Sequence, residues 1–382
     1  MWRFAPDVDP TTPEIYTAMS RMLATPWGTY RSSPNFVSYG GGTTALDAGS
    51  AVTGSAVLIK TDGSERWYAG HSTAIYESTS SDTVWTDVKS GAYSASATGW
   101  QFAQYGNITI ATNKTNNVQS VNGAAGTAFA DLAGTPPKAA IVCVQSMAVM
   151  LLNYNDGTDT PDGWWASNIG DPTVWTPANS NVAANGRLLE TPGATKAAIS
   201  FGNYILAFKE AGVYRGYFAD AATKWRWELI HPTIGVSSIN GVATDGKLVF
   251  LYGKSGAYLY DGAQFTRIDA GIEKYLRTNV SVTNCDVVWS GLEQVFCMYL
   301  NRGVSDSFVN YCPATGMWGV GSDLDTASGL VFVSCVKVPA SYERRTIRYG
   351  AGPLQIGTKV NGTSYATGIS SVTTGWIGND SS

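Results

Sequence analysis

A recurrent unit constrains this 382-residue chain more than any other feature. It runs apolar strand, Gly- or Ser-bearing turn, apolar strand, second turn, then a Tyr- or Trp-bearing strand. Two copies, 198–208 around Gly202 and 242–251 around Gly246, match in their apolar and glycine positions, and each is followed by a second hairpin partner (211–217 and 255–260). Weaker copies turn at Gly63, Gly106, Ser146 and Gly291, so successive turns lie 43, 40, 56, 44 and 45 residues apart. A last unit, 331–347, turning near Pro339 and Ala340, brings the total to seven at most. A four-stranded antiparallel blade takes about 40–45 residues, and a chain of such blades closes into a β-propeller. The expected fold is therefore all-β: a propeller of six or seven antiparallel blades over residues 36–360. The Gly202 and Gly246 units should be adjacent blades.

Composition agrees with many short strands and tight turns. Charged residues make up 14%, against about 25% in typical domains. Small polar residues, 42 Gly and a load of 13 Trp, 20 Tyr and 12 Phe fill the gap. The dipeptides Asp62-Gly63, Asp245-Gly246 and Asp261-Gly262 suit type I′ hairpins, in which both central residues take φ > 0. The 56-residue step holds a Gly/Asp/Pro-rich stretch at about 155–177 that reads as an inserted loop. Residues 1–35 read either as an extended arm or as a short helix. For the helix, Thr12-Pro13 would start it, and Ile15, Met19, Met22 and Leu23 would share a face. Residues 361–382 form a C-terminal segment. One terminal segment should supply a strand to the other end's blade, because closure hides sheet edges.

Several function classes find little support. Net charge is −4, with the 25 basic residues scattered, so tight, salt-sensitive nucleic-acid binding is not expected. No stretch approaches 18 apolar residues, and the N-terminus lacks an apolar signal core. The five cysteines have wide spacings and no C-x-x-C, and read as buried thiols. His71 and His231, the two histidines, read as surface or capping residues and leave zinc without its usual nitrogen ligands. Nucleotide-binding, serine-hydrolase and zinc-protease motifs are missing. No enzyme activity, metal or cofactor is expected.

The residues singled out are Asp156, Asp159, Asp162, Trp164, Trp165, Asp171 and Trp175, read as one contact or gate loop. The three carboxylates at three-residue steps could converge on Ca²⁺, but their order departs from the calcium-loop consensus and a solvated turn is the simpler reading. The tryptophans could stack on sugar or pack in the core. Ser81–Thr86 and Gly170–Thr176 each place Asp shortly before Trp, similar to the structural Asp-box turn of sialidase-like propellers, without its glycine. Paired acids for glycoside hydrolysis could lie in the acidic loop or at Asp323 and Asp325.

The opening Phe4-Ala5-Pro6-Asp7 and Asp9-Pro10-Thr11-Thr12-Pro13, then Tyr30-Arg31-Ser32-Ser33-Pro34, resemble the start of tail proteins of tailed bacteriophages. The stretches 165–175 and 256–262 resemble the same group. Most of the chain is similar to the tail nozzle or tail-hub (tail tubular) propeller proteins of short-tailed phages. That resemblance implies a virion tail protein, made in the host cytoplasm, that forms a homo-oligomeric ring, a hexamer, below portal and adaptor. Its partners would be copies of itself, portal-side tail proteins, and tail fibres or spikes. Genomic DNA would pass without tight binding during retention and ejection, and no membrane segment is implied. The alternative is a phage tail adhesin that binds or depolymerises host glycans.

Overall fold

In the computed structural model, residues 3–9, 14–20, 22–32, 37–39, 52–78, 85–96, 98–291, 293–299 and 307–322 are described, with the strands at 331–336, 345–349, 355–358 and 371–374. Six four-stranded antiparallel sheets follow one another along the chain: blade 1 (52–87), blade 2 (101–131), blade 3 (138–187), blade 4 (197–231), blade 5 (242–267) and blade 6 (287–322). A seventh four-stranded sheet, of which the backbone pairing is described, joins Val331–Val336, Arg345–Tyr349 and Gln355–Thr358 to Val37–Tyr39. The first strands of consecutive blades are neighbours, and that of blade 7 lies against both blade 6 and blade 1. The ring is closed. An N-terminal strand completes the last blade, as the edge argument requires.

Alternate residues of each second strand feed opposite seams. In blade 4, Ile205 and Ala207 pack with blade 3 residues such as Leu152 and Trp164. Their neighbours Leu206 and Phe208 pack with Val249 and Leu251 of blade 5. In blade 5, Phe250 and Tyr252 point the other way, to Phe296 and Met298 of blade 6. Both faces of these strands are buried, so their sequences are continuous apolar runs. Side chains such as Leu206 and Phe208, with no exposed surface, each contribute roughly 1.5–3 kcal/mol of transfer free energy.

Gly202 and Gly246 occupy equivalent first-hairpin turns, as the repeat demands. The turn chemistry differs from expectation. At the three Asp-Gly turns only the glycine takes positive φ, so these are not type I′. Asp62, Asp245 and Asp261 instead use a carboxylate oxygen to accept backbone N–H groups two or three residues on. A two-residue turn with both φ positive occurs at Ser146 and Met147, neither of which is glycine.

The helix alternative for the N-terminal arm is overturned: Ile15–Ser20 and Met22–Ala24 are strands. The spacing of Ile15, Met19 and Leu23 is even, so it places them on one face of an extended chain as well as on a helix. Non-local pairing decides between the two, since Ile15–Ser20 is flanked by Arg3–Phe4 and Ser371–Thr374 in a three-stranded sheet. The arm lies over blades 5 and 6. Asn310, fully buried, accepts from Ala24 N–H and donates to Met22 C=O. Asp7 accepts the Lys274 and Tyr275 N–H groups at the start of the helix Glu273–Asn279. Ile272, at that helix's N-cap, offers no side-chain oxygen, so the arm supplies the cap that its own sequence lacks. Among the described residues no helix is long and apolar enough to cross a membrane.

Candidate functional site

The stretch 155–177 is not an inserted loop. Asp159–Ala166 is the third strand of blade 3, and the extra length of this repeat lies in the connection that follows. Removing 155–177 would therefore break the blade. The physical reason is strand pairing: Trp164 faces Leu152 and Gly186, and Trp165 faces Leu151 and Asn185.

That strand also separates the acids. Around Asp159 and Asp162 the pairing is irregular, Thr160 standing opposite Tyr154 and Trp164 opposite Leu152, and the two acids turn to different partners. Asp159 pairs with Lys114 of blade 2 at 2.7 Å. Asp162 takes a two-point contact from Arg187 at 2.8 and 2.9 Å. Burial alone would raise the Asp162 carboxyl, but the Arg187 hydrogen bond and charge outweigh it and hold it below the usual range. Asp156 sits in the turn, where it accepts the Thr158 N–H. Among the described residues no three His, Cys, Asp or Glu side chains are grouped to hold a metal ion.

Trp164 and Trp175 are buried packing residues, and Trp165 is half-buried. Trp164 lies in the blade 3–4 seam, 5.7 Å from Trp227 ring to ring. Trp165 takes the opposite face, its indole N–H donating to Trp175 C=O at 2.8 Å. Asp171 accepts both the N–H and the hydroxyl of Thr173, while Trp175 is buried between blades 2 and 3. Here an Asp closes a turn and the Trp behind it packs between sheets, as the Asp-box likeness implied. In the other segment, Ser81 to Val84 lie outside the described residues, as do Asp323 and Asp325. Gly170 donates to Met147 C=O at the opposite end of the strand Ala148–Asn155 from Asp156. At about 3.3 Å per residue the two turns are roughly 25 Å apart. The seven residues thus do not form one site.

His71 is not a surface residue. It is fully buried against Tyr76, and its Nδ1 accepts the Thr73 N–H. His231 caps the Thr233 and Ile234 N–H groups. Cys143, Cys285, Cys297 and Cys312 are buried free thiols, as expected, and burial pushes Cys143 up to about 12.

Among the described residues one concavity lies on the propeller axis and a second where blades 2 and 3 meet, while another of about 400 Å³ lies beside the helix Glu273–Asn279. The axial cavity, about 290 Å³, is lined by the first strands of several blades. Gln101 of blade 2 reaches across it to Asn240, before blade 5, at 3.4 Å, so the propeller's own axis is bridged. The second is an 820 Å³ cleft where blades 2 and 3 meet. It gathers Lys114, Thr115, Thr135, Lys138, Asp156 and Trp165. The acidic turn and Trp165 are legible in the sequence, whereas Lys114, Lys138 and Thr135 are not. These residues meet only through the packing of two blades, and no local spacing announces that.

No family model matches this chain, and no curated protein matches it in sequence. Solved structures do resemble it. The β-propeller domain of Cps50 (Swd1) from Myceliophteria thermophila superposes with a TM-score of 0.52, covering 82% of this chain and all of that one, at 9% identity. YCF48 bound to D1 peptide gives the same TM-score over 87% of this chain and all of that one, at 8% identity. At such identity the likeness concerns architecture alone. The fold is a β-propeller.

Proposed function

We propose that this protein is a structural subunit of a bacteriophage tail, a nozzle or hub that assembles into a ring below portal and adaptor. Copies of the chain, six in the reading favoured by the resemblance, would enclose a shared lumen along which the genome leaves the particle. Neighbouring portal-side proteins and tail fibres or spikes would dock on the same ring.

The observation that carries this reading is how the charges are used. Carboxylates are committed to turns, as at Asp62, Asp171, Asp220, Asp245 and Asp261. Others pair internally, as in Arg66–Glu77, Arg187–Asp162, Arg215–Glu228 and Arg267–Asp269. A propeller that engages many of its charges in its own turns and ion pairs suits a conduit wall, which must let phosphate pass without gripping it. Because Gln101 and Asn240 bridge the axis of each subunit, the passage belongs between copies. Rings arise when a heterologous interface closes by rotation. The test is class averaging of the purified protein in negative stain. Closed rings with a central opening, sixfold in the proposed assembly, support the reading; monomers or a trimeric spike contradict it.

A further inference from the structure

Two residues that line the cleft between blades 2 and 3 have strained backbone. Lys114 and Thr135, both lining it, have φ of +66° and +52°. A β-branched residue in the left-handed region is an outlier, and Thr135 also precedes Pro136, where helical conformations are disfavoured. Such backbone clusters where a protein holds ligands. The strain is held in place from both sides. Gly134 packs so closely on the Thr173 carbonyl that a Cβ would collide with it, and the Lys114 N–H is tied to Ala139 C=O at 2.6 Å.

We propose that this cleft binds a neutral oligosaccharide. Its volume, about 820 Å³, falls in the range of about 300–1,000 Å³ of ligand sites. Lys114 and Asp159 neutralise one another, and the other charged lining residues are one cation, Lys138, and one anion, Asp156. With two lysines and two aspartates the lining carries no net charge, which favours neither an anion nor a cation. The Thr115 hydroxyl, the Lys138 ammonium and the Asn155 amide N–H₂ have no partner among the described residues, and hydroxyl groups of a sugar satisfy all three. The apolar component is the half-buried Trp165 ring, fixed by its bond to Trp175, together with Pro136. Rigid aromatic faces of this kind meet the C–H faces of pyranose rings. The inference stands on the cleft alone and holds whether or not the subunits form a ring.

The test uses the full chain on an array of immobilised neutral hexose and N-acetylhexosamine oligosaccharides beside uronate- and sialate-bearing ones. The best neutral binder is then titrated free in solution, which separates a soluble sugar from a surface-bound one. The isosteric double variant Thr115→Val with Lys138→Met removes two unpartnered groups from exposed or half-exposed positions and should melt as the parent does. It should bind at least tenfold more weakly, whereas Met147→Ser, at the far end of blade 3, should bind normally. Absence of any neutral binder, binding confined to acidic sugars, or equal affinity in the double variant would overturn the proposal.

Discussion

Glu77 shows how a single carboxylate is used in this protein. It is almost fully buried, accepts the Gly126 N–H at 2.8 Å, and pairs with Arg66 at 3.1 Å. Burial raises its carboxyl above 4.5, with the Gly126 bond and Arg66 pulling the other way. The folded protein therefore holds this proton to higher pH than the unfolded chain. The stability that Glu77 contributes is complete at acid pH and lost as pH rises through its raised value. Replacing Arg66 by Met leaves the carboxylate buried and unpaired, which should cost about 3 kcal/mol near neutrality. Urea unfolding of parent and variant should show the deficit widening from below pH 4.5 upward; a pH-independent deficit would refute this. The turn acids have the opposite sign. Asp62, Asp171, Asp220 and Asp261 are held below 3.8 by hydrogen bonds from the turns they close. Their contribution is present above that value and lost on acidification.

At the scale of elements, Asn310 is the point at which the N-terminal arm is fastened. Its amide satisfies one N–H and one C=O of Met22–Ala24. Asn310→Leu strands both groups against an apolar side chain and should cost about 2–3 kcal/mol. Limited chymotrypsin digestion should then cut faster around Trp27, already 82% exposed in the arm's hairpin, while blades 2 to 5 resist as before. Equal cutting of parent and variant would mean that the arm is held elsewhere. The repeat and its turns were legible because hairpins are local: Gly202 and Gly246 mark equivalent turns whatever the rest of the chain does. The arm was not, because Ile15, Met19 and Leu23 suit helix and strand alike, and both the strand Ser371–Thr374 that pairs with Ile15–Ser20 and the blade residues on which Met19 and Leu23 pack lie hundreds of residues away. The third strand of blade 3 was hidden by Asp159, Pro161, Asp162 and Gly163, whose composition is that of a loop. Pairing with the apolar strand Ala148–Asn155 overrides that composition. The candidate site was half legible for the same reason, Trp165 and the acidic turn being local and their blade 2 neighbours not.

For the whole molecule, the paired charges and bridged axis bear on nucleic acid. Anisotropy titration of the protein with duplex DNA at about 50 mM salt should show little binding. A surface that neutralises six to ten phosphates would instead bind there and lose roughly 10³–10⁵ in affinity by about 200 mM. Submicromolar binding with such a salt slope would replace a passive conduit by a DNA-gripping one. Gold labelling of intact phage particles that contain this chain, using an antibody raised against it, tests the proposed place in a tail most directly. The account predicts label on the tail axis below the head, between portal and fibres. Label confined to the fibre or spike tips, or no label on particles at all, would contradict it.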